Sequence, residues 1–87
     1  MFIILVYDVN TKRVARVLKT ARKYLNWVQN SVLEGDISEA NFVKLKHELL
    51  KNIDVNEDSL IFYTFRTKSY SKREEYGVKK SGDDVFI

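Results

Sequence analysis

The chain has 87 residues and therefore makes one domain, since folding at this length buries only roughly 60–65 % of the unfolded surface, too little to divide between two cores. Hydrophobic residues at 45 %, aromatics at 13 %, no proline and three glycines exclude disorder, collagen-like repeats and low-complexity linkers; the absence of cysteine excludes a disulfide framework, a thiolate zinc site and a cysteine nucleophile. Fifteen Lys and Arg against twelve Asp and Glu give only +3, yet Lys12, Arg13, Arg16, Lys19, Arg22 and Lys23 fall together with no acid among them, so that one stretch is strongly basic and the remainder net acidic.

The run from Phe2 to Val9 is apolar on both alternating faces, the pattern of a central strand, and Asp8 breaks it at its end. In strand phase Phe2, Ile4, Val6 and Asp8 share a face. Asn10-Thr11 is a helix N-cap pair, and from there to Leu25 the helical wheel puts Val14, Val17, Leu18, Ala21, Tyr24 and Leu25 on one side, with Lys12, Arg16, Lys19 and Lys23 opposite. The segment Trp27 to Ile37 favours extended backbone but falters at Asn30-Ser31, which predicts two strand pieces or one kinked strand. Ser38 caps a second helix to about Asn52, with Phe42, Leu45, Leu49, Leu50 and Ile53 as its buried stripe and Lys46 the one dissenter. A polar turn at 54–58 leads into a second central strand, Ser59 to Arg66.

After Thr67 the chain turns polar and charged, then ends on Val85-Phe86-Ile87. That apolar end either folds back on its own core or adds a strand to a partner's sheet edge. The order β-α-β-β-α-β is the α+β ferredoxin-like plait, which places both helices on one face of an antiparallel sheet and leaves the other bare. A two-fold related copy would cover it, and a small chain without disulfide or metal staples is one that gains from oligomerisation. No apolar window long enough to span a bilayer occurs, and the apolar run Phe2 to Val6 ends at Tyr7-Asp8 without a preceding basic region or a small-residue cleavage site, so the chain is read as cytoplasmic and independent of membranes.

Few residues invite chemistry. His47, the only histidine, falls on the polar side of the second helix with no ligand or base at helical spacing, and the three glycines stand singly, outside any phosphate-cradling motif. Glu74-Glu75 and Asp83-Asp84 sit in the charge-mixed tail, where solvated carboxylates are expected. Asp8 differs because it ends an otherwise apolar strand. It is either a turn former or a ligand for a hard cation such as Mg²⁺, which takes one or two carboxylates and fills its remaining positions with water and phosphate. One aspartate per chain is thin for that purpose; two copies across a dimer axis supply two, enough to hold an ion that assists attack on a phosphodiester. The first helix carries like charges, which repel mildly where mixed signs would attract, and this points to a polyanion bound through its backbone with little sequence preference.

Several blocks together resemble the small CRISPR-associated adaptation subunits, the Cas2 family: Val6-Tyr7-Asp8-Val9 at the first strand's end, the basic first helix, Val28-Gln29-Asn30-Ser31-Val32 followed by Glu34-Gly35, and Asp58-Ser59-Leu60-Ile61-Phe62-Tyr63. They span most of the chain. The resemblance implies a ferredoxin-like homodimer whose two Asp8 side chains face each other, a Mg²⁺-dependent endonuclease acting on single-stranded RNA or double-stranded DNA with Asp8 as catalytic residue and metal ligand, and a complex with the Cas1 integrase, heterotetrameric or heterohexameric, that inserts spacers into CRISPR arrays. It also implies that residues 68–87 close the dimer, with Val85, Phe86 and Ile87 as the closing strand. This chain departs from the family pattern at Trp27, where many members have arginine, and at Leu33, where many have an aromatic. Phosphate contact then falls on Lys12, Arg13, Arg16, Lys19 and Lys23. The alternative is a non-catalytic ferredoxin-like nucleic-acid-binding or toxin-related regulatory module, because the plait hosts many functions.

Overall fold

The computed structural model describes residues 1–67 and 70–78. Alternating burial of Ile3, Leu5 and Tyr7 against Phe2, Ile4, Val6 and Asp8 makes Phe2–Asp8 the strand β1. Asn10 caps the helix α1, Thr11–Ala21, its side chain accepting from the Lys12 amide at 3.0 Å. The sequence predicts this helix to Leu25, but it stops a turn earlier. From Arg22 the chain unwinds through bonds of the Lys23 and Tyr24 amides to the carbonyls three residues back, which keeps Leu25 buried while redirecting the backbone into the next strand.

That strand, β2 (Asn26–Gln29), forms a hairpin with β3 (Val32–Asp36). Asn30, at φ 40°, turns the corner, so the faltering Asn30-Ser31 pair divides two strand pieces. Ser38 caps α2 (Glu39–Asn52), accepting from the Asn41 amide at 3.1 Å. Two further strands follow, β4 (Ser59–Thr67) and β5 (Tyr70–Gly77).

The five strands form one antiparallel sheet in the order β2-β3-β1-β4-β5, a ferredoxin-like plait with β5 added beside β4. Both helices lie on one face, where Val17, Ala21, Phe42, Leu45 and Leu49 pack against Ile3, Leu5, Leu33, Leu60 and Phe62 in a single core. Lys46 is no intruder on α2: its ammonium sits 4.2 Å from the Phe42 ring centroid and 3.2 Å from Glu74 on β5, so its stem covers core while its charge is paired. The opposite face carries Phe2, Ile4, Val6, Val32, Tyr63 and Phe65, of which none is buried, and Ile61, which is.

β5 is the element the composition hides. Its residues read as a polar tail, yet Lys72, Glu74 and Tyr76 face the helices while Ser71, Arg73 and Glu75 face away, an edge strand built of charge. Glu74, expected to be solvated, is therefore half-buried, bonded by Lys46 and by the Tyr76 hydroxyl at 2.9 Å. Asp83-Asp84 and the apolar end Val85-Phe86-Ile87 lie outside the described residues.

Candidate functional site

Asp8 is the last residue of β1, opposite Ser59 of β4 in the register, and it stands on the helix-free face at the end of the row Phe2, Ile4, Val6. It is exposed, and it lines an open groove with Val9, Asn10, Thr11, Asn56, Glu57 and Val78. None of the hydrogen bonds or ion pairs among the described residues engages its carboxylate.

The backbone around Asp8 is fixed by a residue 50 positions away in sequence. Asp58, completely buried before β4, accepts from the Asn10 amide at 2.9 Å, the Asp54 amide at 2.8 Å and the Arg13 Nε at 2.6 Å, while Arg13 Nη2 reaches its other oxygen at 3.1 Å. Its carbonyl oxygen accepts from the Val78 amide at 2.8 Å. One side chain thus ties the segment after Asp8, the first turn of α1 and the turn before β4, and its own backbone adds the end of β5. The Arg13 guanidinium holds the Asp58 carboxyl well below the usual carboxylate range, against the opposing effect of burial and with help from the two amides. Gly77 is required at this junction: at φ 93° a Cβ there would lie 1.9 Å from the Asp58 carbonyl oxygen.

This arrangement divides the basic stretch. Lys12, Arg16 and Lys19 are exposed on the outer face of α1 and take part in none of the ion pairs among the described residues. Arg13 does not stand with them. Its side chain is largely covered and committed to Asp58 and to Glu57 at 2.8 Å, so its charge is spent inside the fold. Lys23 is exposed but bridges to Glu48 of α2, which also accepts from the Tyr24 hydroxyl. Those two contacts keep the Glu48 carboxyl below its ordinary range, and the bond to Glu48 pushes the Tyr24 hydroxyl up against the opposing charge of Lys23. His47 is exposed on α2, as its position on the wheel implies. Among the described residues, no three His, Cys, Asp or Glu side chains come together to hold a metal within one chain.

A family model described as "CRISPR associated protein Cas2" matches residues 1–73. The chain belongs to the Cas2 family. Over 87 residues and the whole of both chains it is 56 % identical to a protein of Dictyoglomus turgidum named "CRISPR-associated endoribonuclease Cas2". It is 54 % identical to the protein of the same name from Thermotoga maritima, over 100 % of this chain and 99 % of that one. The crystal structure of Streptococcus pyogenes Cas2 superposes with a TM-score of 0.70 at 41 % identity, covering 75 % of this chain and 86 % of that one. A second Cas2 crystal structure covers 100 % of this chain and 92 % of its own with a TM-score of 0.74 at 37 % identity.

Two residues that matter here escape a reading of the sequence for function. Asp58 looks like part of a polar turn, and only the pairing of distant segments reveals it as the anchor of the Asp8 loop. Trp27 looks like a mere departure from the family pattern, yet it is half exposed on the edge strand β2.

Proposed function

We propose that this chain is a homodimeric CRISPR adaptation subunit that cleaves RNA or DNA phosphodiesters at a site built from the Asp8 of both copies, and that it also serves as a nucleic-acid-binding scaffold for the Cas1 integrase. The observation that carries the reading is the placement of Asp8: an exposed carboxylate at the end of an apolar row on the sheet face that no helix covers. A copy packed on that face by a two-fold axis buries Phe2, Ile4, Val6, Tyr63 and Phe65 and carries its own Asp8 to the same end of the interface. The closing strand assigned to Val85, Phe86 and Ile87 belongs to the same proposal. Membership of the Cas2 family and the endoribonuclease names of the relatives support the chemistry.

The donor set suits a hard cation, since the groove offers carboxylate, amide and hydroxyl oxygens and no thiolate or imidazole. Because the described residues of one chain bring no cluster of three such ligands together, two Asp8 carboxylates, one from each copy, would hold the ion. When bound, Mg²⁺ supplies Lewis-acid assistance to water attacking a phosphodiester. The protein's own part is to hold Asp8 on a rigid strand end through Asp58, and to bind the substrate's phosphates along Lys12, Arg16 and Lys19. Arg13 supports this indirectly by holding Asp58, and Lys23, paired with Glu48, contributes at the stripe's far end only by exchanging that partner for phosphate.

The test is Asp8→Asn, assayed on single-stranded RNA and on double-stranded DNA with Mg²⁺ and with EDTA. Cleavage that needs Mg²⁺ and disappears in the variant is the expected result; cleavage that persists undiminished overturns the catalytic assignment. Spacer integration with Cas1 that survives the same substitution separates the scaffold from the nuclease.

A further inference from the structure

The exposed indole of Trp27 lies beside the cationic end of α1. In the β2–β3 register Trp27 faces Leu33, whose side chain is buried under the helices, so the indole stands on the helix side of the sheet and away from the face assigned to the second copy. It is 49 % exposed at the sheet edge, and its neighbour Val28 is 51 % exposed. Its ring N–H is already satisfied, donating to the Asn30 carbonyl at 2.9 Å, which fixes the ring's orientation and leaves its surface as the only thing it offers a partner. The Arg22 guanidinium sits 5.8 Å from the ring centroid. Next to Arg22 a groove has a floor of Ala15 and Leu18 and a rim of Lys19 and Arg22, with no acidic side chain in its lining. Glu34, the acid nearest in the hairpin register, falls on the opposite face with Ile4.

A rigid aromatic surface beside a guanidinium, with the exposed Lys12, Arg16 and Lys19 on the helix that Arg22 caps, is what an unpaired nucleobase recognises: the π-face stacks any base, and cations hold the adjoining phosphates. A base inside a duplex has no free face to give. We propose that Trp27 and Arg22 form a stacking platform for an unpaired base, so that this chain engages single-stranded nucleic acid, or the frayed end of a duplex, at the Arg22 end of α1. This rests on the nucleic-acid reading of α1 given above and adds to it a place where an unpaired base stacks.

Trp27 is the only tryptophan in the chain, so its fluorescence reports this site alone. The purified full-length protein is titrated with a single-stranded uridine oligonucleotide and, separately, with a blunt duplex of equal length. The expected result is strong quenching by the single strand and little by the duplex. Trp27→Ala, at a half-exposed position on the sheet edge, is expected to weaken single-strand binding about tenfold or more while leaving duplex binding, followed by anisotropy of a labelled oligonucleotide, unchanged. Trp27→Phe, which keeps an aromatic face, is expected to recover most of the loss. If both nucleic acids bind and neither the emission nor the Trp27→Ala variant distinguishes them, the stacking platform is refuted while the basic helix stands. If neither binds, the nucleic-acid reading and the platform fall together. Emission that shifts with protein concentration but not with oligonucleotide places the indole in a subunit contact, which also overturns the proposal.

Discussion

Replacing Asp58 by alanine tests whether the buried carboxylate organises the Asp8 end of the molecule. The substitution removes the acceptor for the Asn10 and Asp54 amides, bonded at 2.9 and 2.8 Å, and the partner of the Arg13 guanidinium. A buried amide left without a partner costs about 1–3 kcal/mol, and loss of a charge-assisted bond costs more than loss of a neutral one. Arg13 keeps Glu57 and has some access to water, which limits the damage, and the net loss is placed at about 3 kcal/mol. For a small domain holding roughly 5–15 kcal/mol in total, that is a large share. Urea unfolding at neutral pH and fixed protein concentration measures it, the concentration being fixed because the proposed dimer would add to apparent stability. Asp58→Asn keeps one acceptor oxygen and is expected to fall between wild type and alanine. A loss below about 1 kcal/mol for Asp58→Ala refutes the reasoning, because it means that the amides and Arg13 find other partners at no cost.

Acid should act on the same carboxylate. Its pKa is lowered on folding, so the stability it contributes is complete above the unfolded value near 3.9 and is lost as pH falls toward the folded value; wild type is expected to lose stability below about pH 5, and Asp58→Asn to lose less over the same range. Gly77→Ala puts a Cβ where the Asp58 carbonyl oxygen already stands, at a φ that alanine disfavours, and is expected to lower the urea midpoint by the equivalent of at least about 2 kcal/mol. Replacing Lys12, Arg16 and Lys19 together by alanine is expected to reduce the slope of log affinity against log salt by roughly one for each phosphate that is no longer neutralised, measured by anisotropy, whereas an unchanged slope removes α1 from the interface.

The parts of this molecule legible in its sequence are those set by local period. The two faces of β1, the caps Asn10 and Ser38, the stripe of α2 and the break at Asn30-Ser31 all follow from rules that span a few residues. What stays hidden depends on segments that meet only after folding. The end of α1 is set by where Leu25 must sit under the sheet, and no residue near Ala21 announces it. β5 escapes because an edge strand next to solvent is built of lysine, arginine and glutamate, the same composition as a solvated tail. Arg13 joins the basic stretch on sequence and leaves it in the structure, since its partner Asp58 arrives 45 residues later. Asp8 itself is legible as an odd acid at a strand end, but the reason it is held firmly is not.

The central claim is that two Asp8 side chains, one from each copy, make a single site. Wild-type and Asp8→Asn chains unfolded together and refolded at varied ratios form a statistical mixture of dimers whose Mg²⁺-dependent cleavage can be followed on one RNA substrate. If both carboxylates are needed, activity falls as the square of the wild-type fraction, because only the dimer with two intact Asp8 residues cleaves. A linear fall means that each copy works alone, and it would contradict the shared site.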